Sequence, residues 1–193
     1  AVALFPCRVD RGLKLLAHRF PGKLAGRTIA GAGGESIPAM IRAMGFNTGF
    51  KIPESVLVVV HTAALEVLVL QRTGRDGLWQ SVTGSREPDD PDFAATARRE
   101  VREETGLVLG TLTDWRRVNR YEIWPAWRHR YAPGITHNTE HVFGFQVEAA
   151  TVATLDPAEH VAQLWLPWRE AMTKVFSATN REAIADLPRR LQL

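Results

Sequence analysis

The chain has 193 residues, 45% of them apolar, enough for one domain with a sizeable core. No apolar run approaches the roughly 20 residues of a membrane-spanning helix, and the single cysteine, Cys7, excludes an internal disulfide or a cysteine-built zinc cluster. A formal charge of +3 would suit a nucleic-acid binder, but residues 1–50 carry seven Lys or Arg against two acids, a balance of +5, which leaves 51–193 at −2. The expectation is a cytoplasmic protein with no nucleic-acid and no membrane partner.

Residues 1–43 read as an N-terminal extension to a domain spanning 44–193. The stretch GRTIAGAGGES is turn-forming without strand or helix periodicity, and Leu13 to Ala17 could form a short basic amphipathic helix. The basic composition fits a transit peptide loosely, without a clear apolar core or cleavage pattern. Met44 lies just before the strand pattern and is the expected start of the domain.

From Ser55 the pattern changes. SVLVVVH (55–61) and EVLVLQR (66–72) are β-branched and aliphatic runs joined by a short link, which predicts a hairpin of two largely buried strands. TGRDG then turns the chain into LWQSVTG, where Trp79 reads as core and the short Ser81, Thr83 and Gly84 allow close approach to backbone.

The most informative stretch follows. Phe93 to Thr105 is an uninterrupted helix-forming run, with Asp90 or Asp92 available as its cap and Gly106 as its stop. Residues three and four apart share a helix face, so Glu100, Glu103 and Glu104 are expected to crowd one side while Phe93, Ala97 and Val101 form a separate packing stripe. Like charges at that spacing repel by a few tenths of a kcal/mol, roughly. A divalent cation bridging carboxylates to a phosphate reverses that term.

Beyond the helix, LVLGTLTDWRRVNRYEI reads as a strand and its continuation. Pro133-Gly134 marks a turn, and His141 to Val147 alternates, placing Val142 and Phe143 on opposite faces. Glu159 precedes a short strand around Leu164, and the segment from Trp168 reads as one or two closing helices. This order of elements predicts an α+β sandwich. The six histidines show no zinc-like spacing. The cluster Arg128-His129-Arg130 reads as a loop gripping phosphates or closing over a base.

The run Arg99-Glu100-Val101-Arg102-Glu103-Glu104-Thr105-Gly106-Leu107 resembles, position by position, the second half of the Nudix hydrolase signature. The first half departs from it: one residue too many separates Gly84 from Arg99, and the position of the signature's first Glu falls on Asp90 or Pro91. Further stretches, LQR (70–72), LWQSVTGS (78–85), RHRYAPGITHNTE (128–140), EHVAQLWL (159–166) and TNREAI (179–184), resemble the dihydroneopterin triphosphate pyrophosphohydrolase branch of that family, from Lys51 to Leu187.

The resemblance implies a Nudix-type α/β/α sandwich with a mixed β-sheet. It implies a Mg²⁺-dependent enzyme, with Mn²⁺ able to substitute, that hydrolyses dihydroneopterin triphosphate to the monophosphate and pyrophosphate in folate biosynthesis. The alternative is a house-cleaning Nudix pyrophosphatase acting on nucleoside triphosphates. Metal ligands would be Glu100, Glu104 and Glu159, and the general base would come from Glu103, Glu104 or Glu159. Lys51, Arg72 and Thr83 would contact the triphosphate, and Tyr121, Glu122, Ile123 and Trp124 would line the pterin pocket. A serine found near position 175 in some members is Val175 here. The expected partner is the small-molecule triphosphate, with the chain a monomer or a homodimer.

Overall fold

The computed structural model describes residues 49–192. Cys7, the short helix expected over Leu13 to Ala17 and the expected boundary at Met44 lie outside the described residues.

Seven strands form one mixed sheet. They are β1 (Glu54–Thr62), β2 (Glu66–Arg72), β3 (Trp79–Gln80), β4 (Val82–Ser85), β5 (Thr111–Glu122), β6 (His137–Val147) and β7 (His160–Pro167). The helices are α1 (Phe93–Thr105), α2 (Trp168–Lys174) and α3 (Ala178–Arg190), with a 3-10 segment over Pro125–Arg130. The expected hairpin forms as β1 antiparallel to β2, while β1 and β6 run parallel in register from Glu54↔Thr139 to Thr62↔Val147. β4 pairs with β1, β7 with β2, and β5 with β6, all antiparallel.

Both faces of the central strands are buried, which is why β1 and β2 read as continuous apolar runs rather than alternating ones. Val56, Val58 and Val60 pack with Phe143, Phe145 and the Ala97 and Val101 stripe of α1. Leu57 and Val59 point the other way, with Val142, Trp79 and Trp115, onto Ala171 of α2 and Ala183, Ile184 and Leu187 of α3. The sandwich is thus α1, sheet, then α2 with α3.

The bounds of α1 agree with the expected run. Asp92 is its cap, its side chain accepting from the Ala95 amide at 2.7 Å, and Gly106 closes it at φ 69, its amide donating to the Arg102 carbonyl. The strand expected from Leu107 begins only at Thr111, because Leu107 turns inward against the α1-side core. Trp79 is buried, as read from sequence. Val175, also buried, bridges to Trp79 and offers no polar group. In β5 the register slips between Asp114 and Arg117, with Arg116 at φ 51 and its amide held by the Asp114 side chain at 2.7 Å. This bulge brings Arg117, Asn119 and Tyr121 opposite Val142, Glu140 and Asn138, on the α3 side of the sheet. Among the described residues, no helix is long and apolar enough to cross a membrane.

Candidate active site

The site forms where α1 meets β4. Arg99 is its hub: Nε and Nη2 donate to the two Asp90 oxygens at 3.1 and 2.9 Å, Nη1 donates to Glu100 at 2.8 Å and Glu103 at 3.0 Å, and Nη2 also reaches the Ser85 carbonyl at 3.0 Å. The forked contact with Asp90 holds that carboxyl down at about 2, and the Glu87 amide and Thr96 hydroxyl add to it. Of the two residues that sequence leaves open at the signature's first acidic position, Asp90 is the one that engages Arg99. The loop that carries the extra residue is therefore tied to the helix by the shorter side chain.

Glu100 lies against Gly84. A Cβ on Gly84 would come within 1.7 Å of the Glu100 carboxyl carbon, so only glycine leaves room for this carboxylate beside the β4 backbone. Burial pushes Glu100 up to about 7 despite the neighbouring Arg99, and Glu104 adds to the rise. One turn on, Glu104 is only 2% exposed and is raised by burial. It receives His160 Nε2 at 2.9 Å and the Thr83 amide at 3.4 Å. Ligand atoms of Glu104, Glu159 and His160 all lie within 4.8 Å of one another. Two carboxylates and an imidazole at that separation, with Glu100 a turn away, fit a divalent cation by donor type, oxygen donors predominating.

Glu103 departs from the expected crowding. Its side chain is half exposed and held by Arg99, while Glu100 and Glu104 turn inward. The 100° step between neighbours on a helix is enough to put Glu103 and Glu104 on opposite sides of the buried boundary.

The cationic side is assembled from three separate segments. Lys51 Nζ donates to Ser85 Oγ at 3.3 Å, and burial together with Arg130 lowers its pKa, while Glu100 and Glu159 oppose that change. Arg72, at the end of β2, donates to Gln80 Oε1 at 3.3 Å, and Gln80 Nε2 donates to Thr83 Oγ1 at 3.0 Å. Arg72, Thr83 and Glu104 are therefore linked through direct hydrogen bonds. A cavity of about 330 Å³ opens beside Arg72, lined by Arg75, Leu78, Trp124, Trp127 and Phe176. Arg75 lies over the Trp124 and Trp127 rings, which meet edge to face at 5.5 Å.

The segment expected to line a ring pocket is split by its surroundings. Trp124 faces this cavity. Ile123 is buried and its amide donates to Thr136. Glu122 is exposed and paired with Arg128, whose cluster thereby engages its own chain. Tyr121 accepts from Asn138 Nδ2 at 3.0 Å and has its pKa raised to about 12 by burial and Glu140.

Sequence reading missed three residues here. His160 carries no ligand spacing of its own; its position beside Glu159 in EHVAQLWL was the available signal. Gln80 reads as an ordinary strand residue. Asn180 accepts from the Ser81 amide at 2.6 Å, pinning the kink between β3 and β4 to α3 across 99 positions, a contact that only TNREAI hinted at.

Carboxylates converging from a helix and a distant strand start, opposite Lys51 and Arg72, on an α/β/α sandwich define the class as a metal-assisted hydrolase of phosphate anhydrides. The chain belongs to the NUDIX domain family, which matches residues 51–187. It is 42% identical over 144 residues to the dihydroneopterin triphosphate diphosphatase of Escherichia coli K12, covering 70% of this chain and 91% of the relative. The Haemophilus influenzae protein of that name is 39% identical over 140 residues, covering 70% and 87%. The solved E. coli dihydroneopterin triphosphate pyrophosphohydrolase superposes with a TM-score of 0.65 at 38% identity, over 71% of this chain and 95% of that one.

Proposed function

We propose that the protein hydrolyses dihydroneopterin triphosphate to the monophosphate and pyrophosphate with Mg²⁺ as cofactor. The observation that carries this reading is the proximity of Glu100, Glu104 and Glu159 to Lys51, Arg72 and Thr83, in a chain whose relatives bear that activity in their names.

Glu100, Glu104 and Glu159 would hold the ion, which when bound neutralises phosphate oxygens and acidifies water. His160, donating from Nε2, fixes the Glu104 carboxylate in one orientation. Lys51 and Arg72 hold the remaining triphosphate charge, and Thr83 sets the approach to the β4 backbone. Of Glu103, Glu104 and Glu159, the proton acceptor best supported is Glu159. Glu103 is engaged by Arg99 and Glu104 by His160, whereas Glu159 is exposed beside Glu104. Trp124 stacks the ring from the aromatic cavity, with Tyr121, Glu122 and Ile123 shaping its margin.

The match over residues 51–187 supports a functional unit within 44–193, and a chain beginning at Met44 is expected to retain full kcat. The deciding experiment is product analysis from dihydroneopterin triphosphate with Mg²⁺ in ¹⁸O water, alongside a panel of nucleoside triphosphates. Pyrophosphate with label in one product supports the reading; faster turnover of an oxidised purine nucleotide favours the house-cleaning alternative.

A further inference from the structure

On the α3 side of the sheet a second polar cluster lies outside the metal and phosphate machinery. Glu140 is 4% exposed, on the same face of β6 as the core residue Val142. Burial raises its pKa, and its partners are neutral: Asn119 Nδ2 at 3.1 Å and the Thr179 hydroxyl. Among the described residues the cation that acts on Glu140 is Arg117, which is committed to Glu182 and Asp186 and is joined to Glu140 by hydrogen bonds through the Asn119 amide, to which its Nε donates at 3.1 Å. Two residues earlier on the same face, Asn138 donates to Ser55 Oγ at 2.7 Å and to the Tyr121 hydroxyl at 3.0 Å. Ser55 pairs in register with Ser85, the residue that meets Lys51 and Arg99, so the two clusters are joined by adjacent strands.

A buried carboxylate without a cation is an expensive way to tie strands together, since a neutral amide would make the same bonds without the desolvation cost. Its chemistry suits a ligand that presents paired N–H donors. The Tyr121 hydroxyl also meets the Ser55 hydroxyl; with Asn138 and Ser55 both donating to it, its own proton is left to donate. Tyr121 stands opposite Asn138 and Asn119 opposite Glu140, so acceptor and donor lie diagonally across the β5–β6 ladder, offset along it by two residues of rise, about 7 Å.

We propose that Glu140 and Tyr121 form the site that reads the 2-amino-4-oxopyrimidine edge of the substrate ring. Glu140 accepts from the exocyclic amino group and the adjacent ring N–H, and Tyr121 donates to the carbonyl. Asn138 and Asn119 are positioning residues that aim them. The β5 bulge, a slip of two residues, is what sets Asn119 opposite Glu140 and Tyr121 opposite Asn138. The inference rests on the triphosphate hydrolase reading and adds which atoms select the ring.

The test uses guanosine and inosine triphosphates, which differ at this edge only by the exocyclic amino group, with the full chain and Mg²⁺. The wild-type protein is expected to favour the guanosine substrate in kcat/KM by about tenfold, the discrimination of roughly one lost hydrogen bond to a charged group. Glu140→Gln brings that ratio to near one. Tyr121→Phe lowers kcat/KM for both substrates, which share the carbonyl, and keeps their ratio. A wild-type ratio of one, or an unchanged ratio in E140Q, overturns the proposal. Should E140Q fail to fold by circular dichroism, the wild-type ratio and the Y121F result decide. Failure to cleave dihydroneopterin triphosphate sinks the functional reading, whereas the guanosine to inosine ratio reports on the ring site separately.

Discussion

Around Gly84, four carboxylates, those of Glu87, Asp90, Glu100 and Glu103, lie within 4 Å of one guanidinium, while Glu104 leans on an imidazole. Across β1, on the opposite face, one carboxylate is buried among amides and hydroxyls, with its nearest cation already occupied. On the proposed function, the first region would manage charge that arrives with a polyphosphate and its ion, and the second would offer hydrogen bonds to an uncharged ring. Charge handling and ring recognition would then belong to different faces of one sheet.

The largest expected break in that contrast is Glu104→Gln. It removes one unit of charge from the ion-holding side, and kcat should fall on the order of a thousandfold, about 4 kcal/mol of barrier, with the circular dichroism spectrum unchanged. Retained turnover would place the ion elsewhere. Gly84→Ala comes next: its methyl group must displace the Glu100 carboxylate. A drop in kcat of about a hundredfold is expected from misplacement by an ångström or so, while the guanosine to inosine preference survives.

Arg99→Ala tests the hub as structure. Its guanidinium is 15% exposed and Asp90 9% exposed, so removing it leaves buried carboxylates without their cation. A loss of about 3–5 kcal/mol in urea unfolding is expected.

Smaller still is the effect of pH. Glu100 and Glu104 have folded pKa values raised by burial, Glu100 to about 7, so without divalent ion their contribution to stability is full below the ordinary carboxylate range and fades as pH rises toward 7. Asp90 runs the other way: its contribution is present above the ordinary range and is lost as pH falls toward about 2. Thermal melts should accordingly show Mg²⁺ protection growing between pH 4.5 and 7, because the ion needs deprotonated ligands. Protection independent of pH would mean that these carboxylates are not its ligands.

The charged region was the more legible from sequence, and the reason is locality. Helix spacing alone puts Glu100 and Glu104 on successive turns, and Asp92 and Gly106 mark the ends of that helix within a residue. What helical spacing could not show was that Glu103 falls outside the buried boundary, or that the side chain of His160, 56 positions from Glu104, would meet it. The ring-facing region depends on register instead. Asn138 and Glu140 gain meaning only when the β5 bulge brings Tyr121 and Asn119 opposite them, and no periodicity in TLTDWRRVNRYE announces where a ladder will slip. Strand burial on both faces, by contrast, was readable directly from the unbroken runs of Val and Leu in β1 and β2.

The bond from the Ser81 amide to Asn180 carries a temporal consequence. A growing polypeptide halted anywhere before Asn180 would have the kink that feeds Thr83 and Gly84 into the catalytic cleft already made, yet lacking its fastener. The seating of Thr83 and Gly84 thus waits on a helix made 99 positions later, and damage to α3 would be felt at β4.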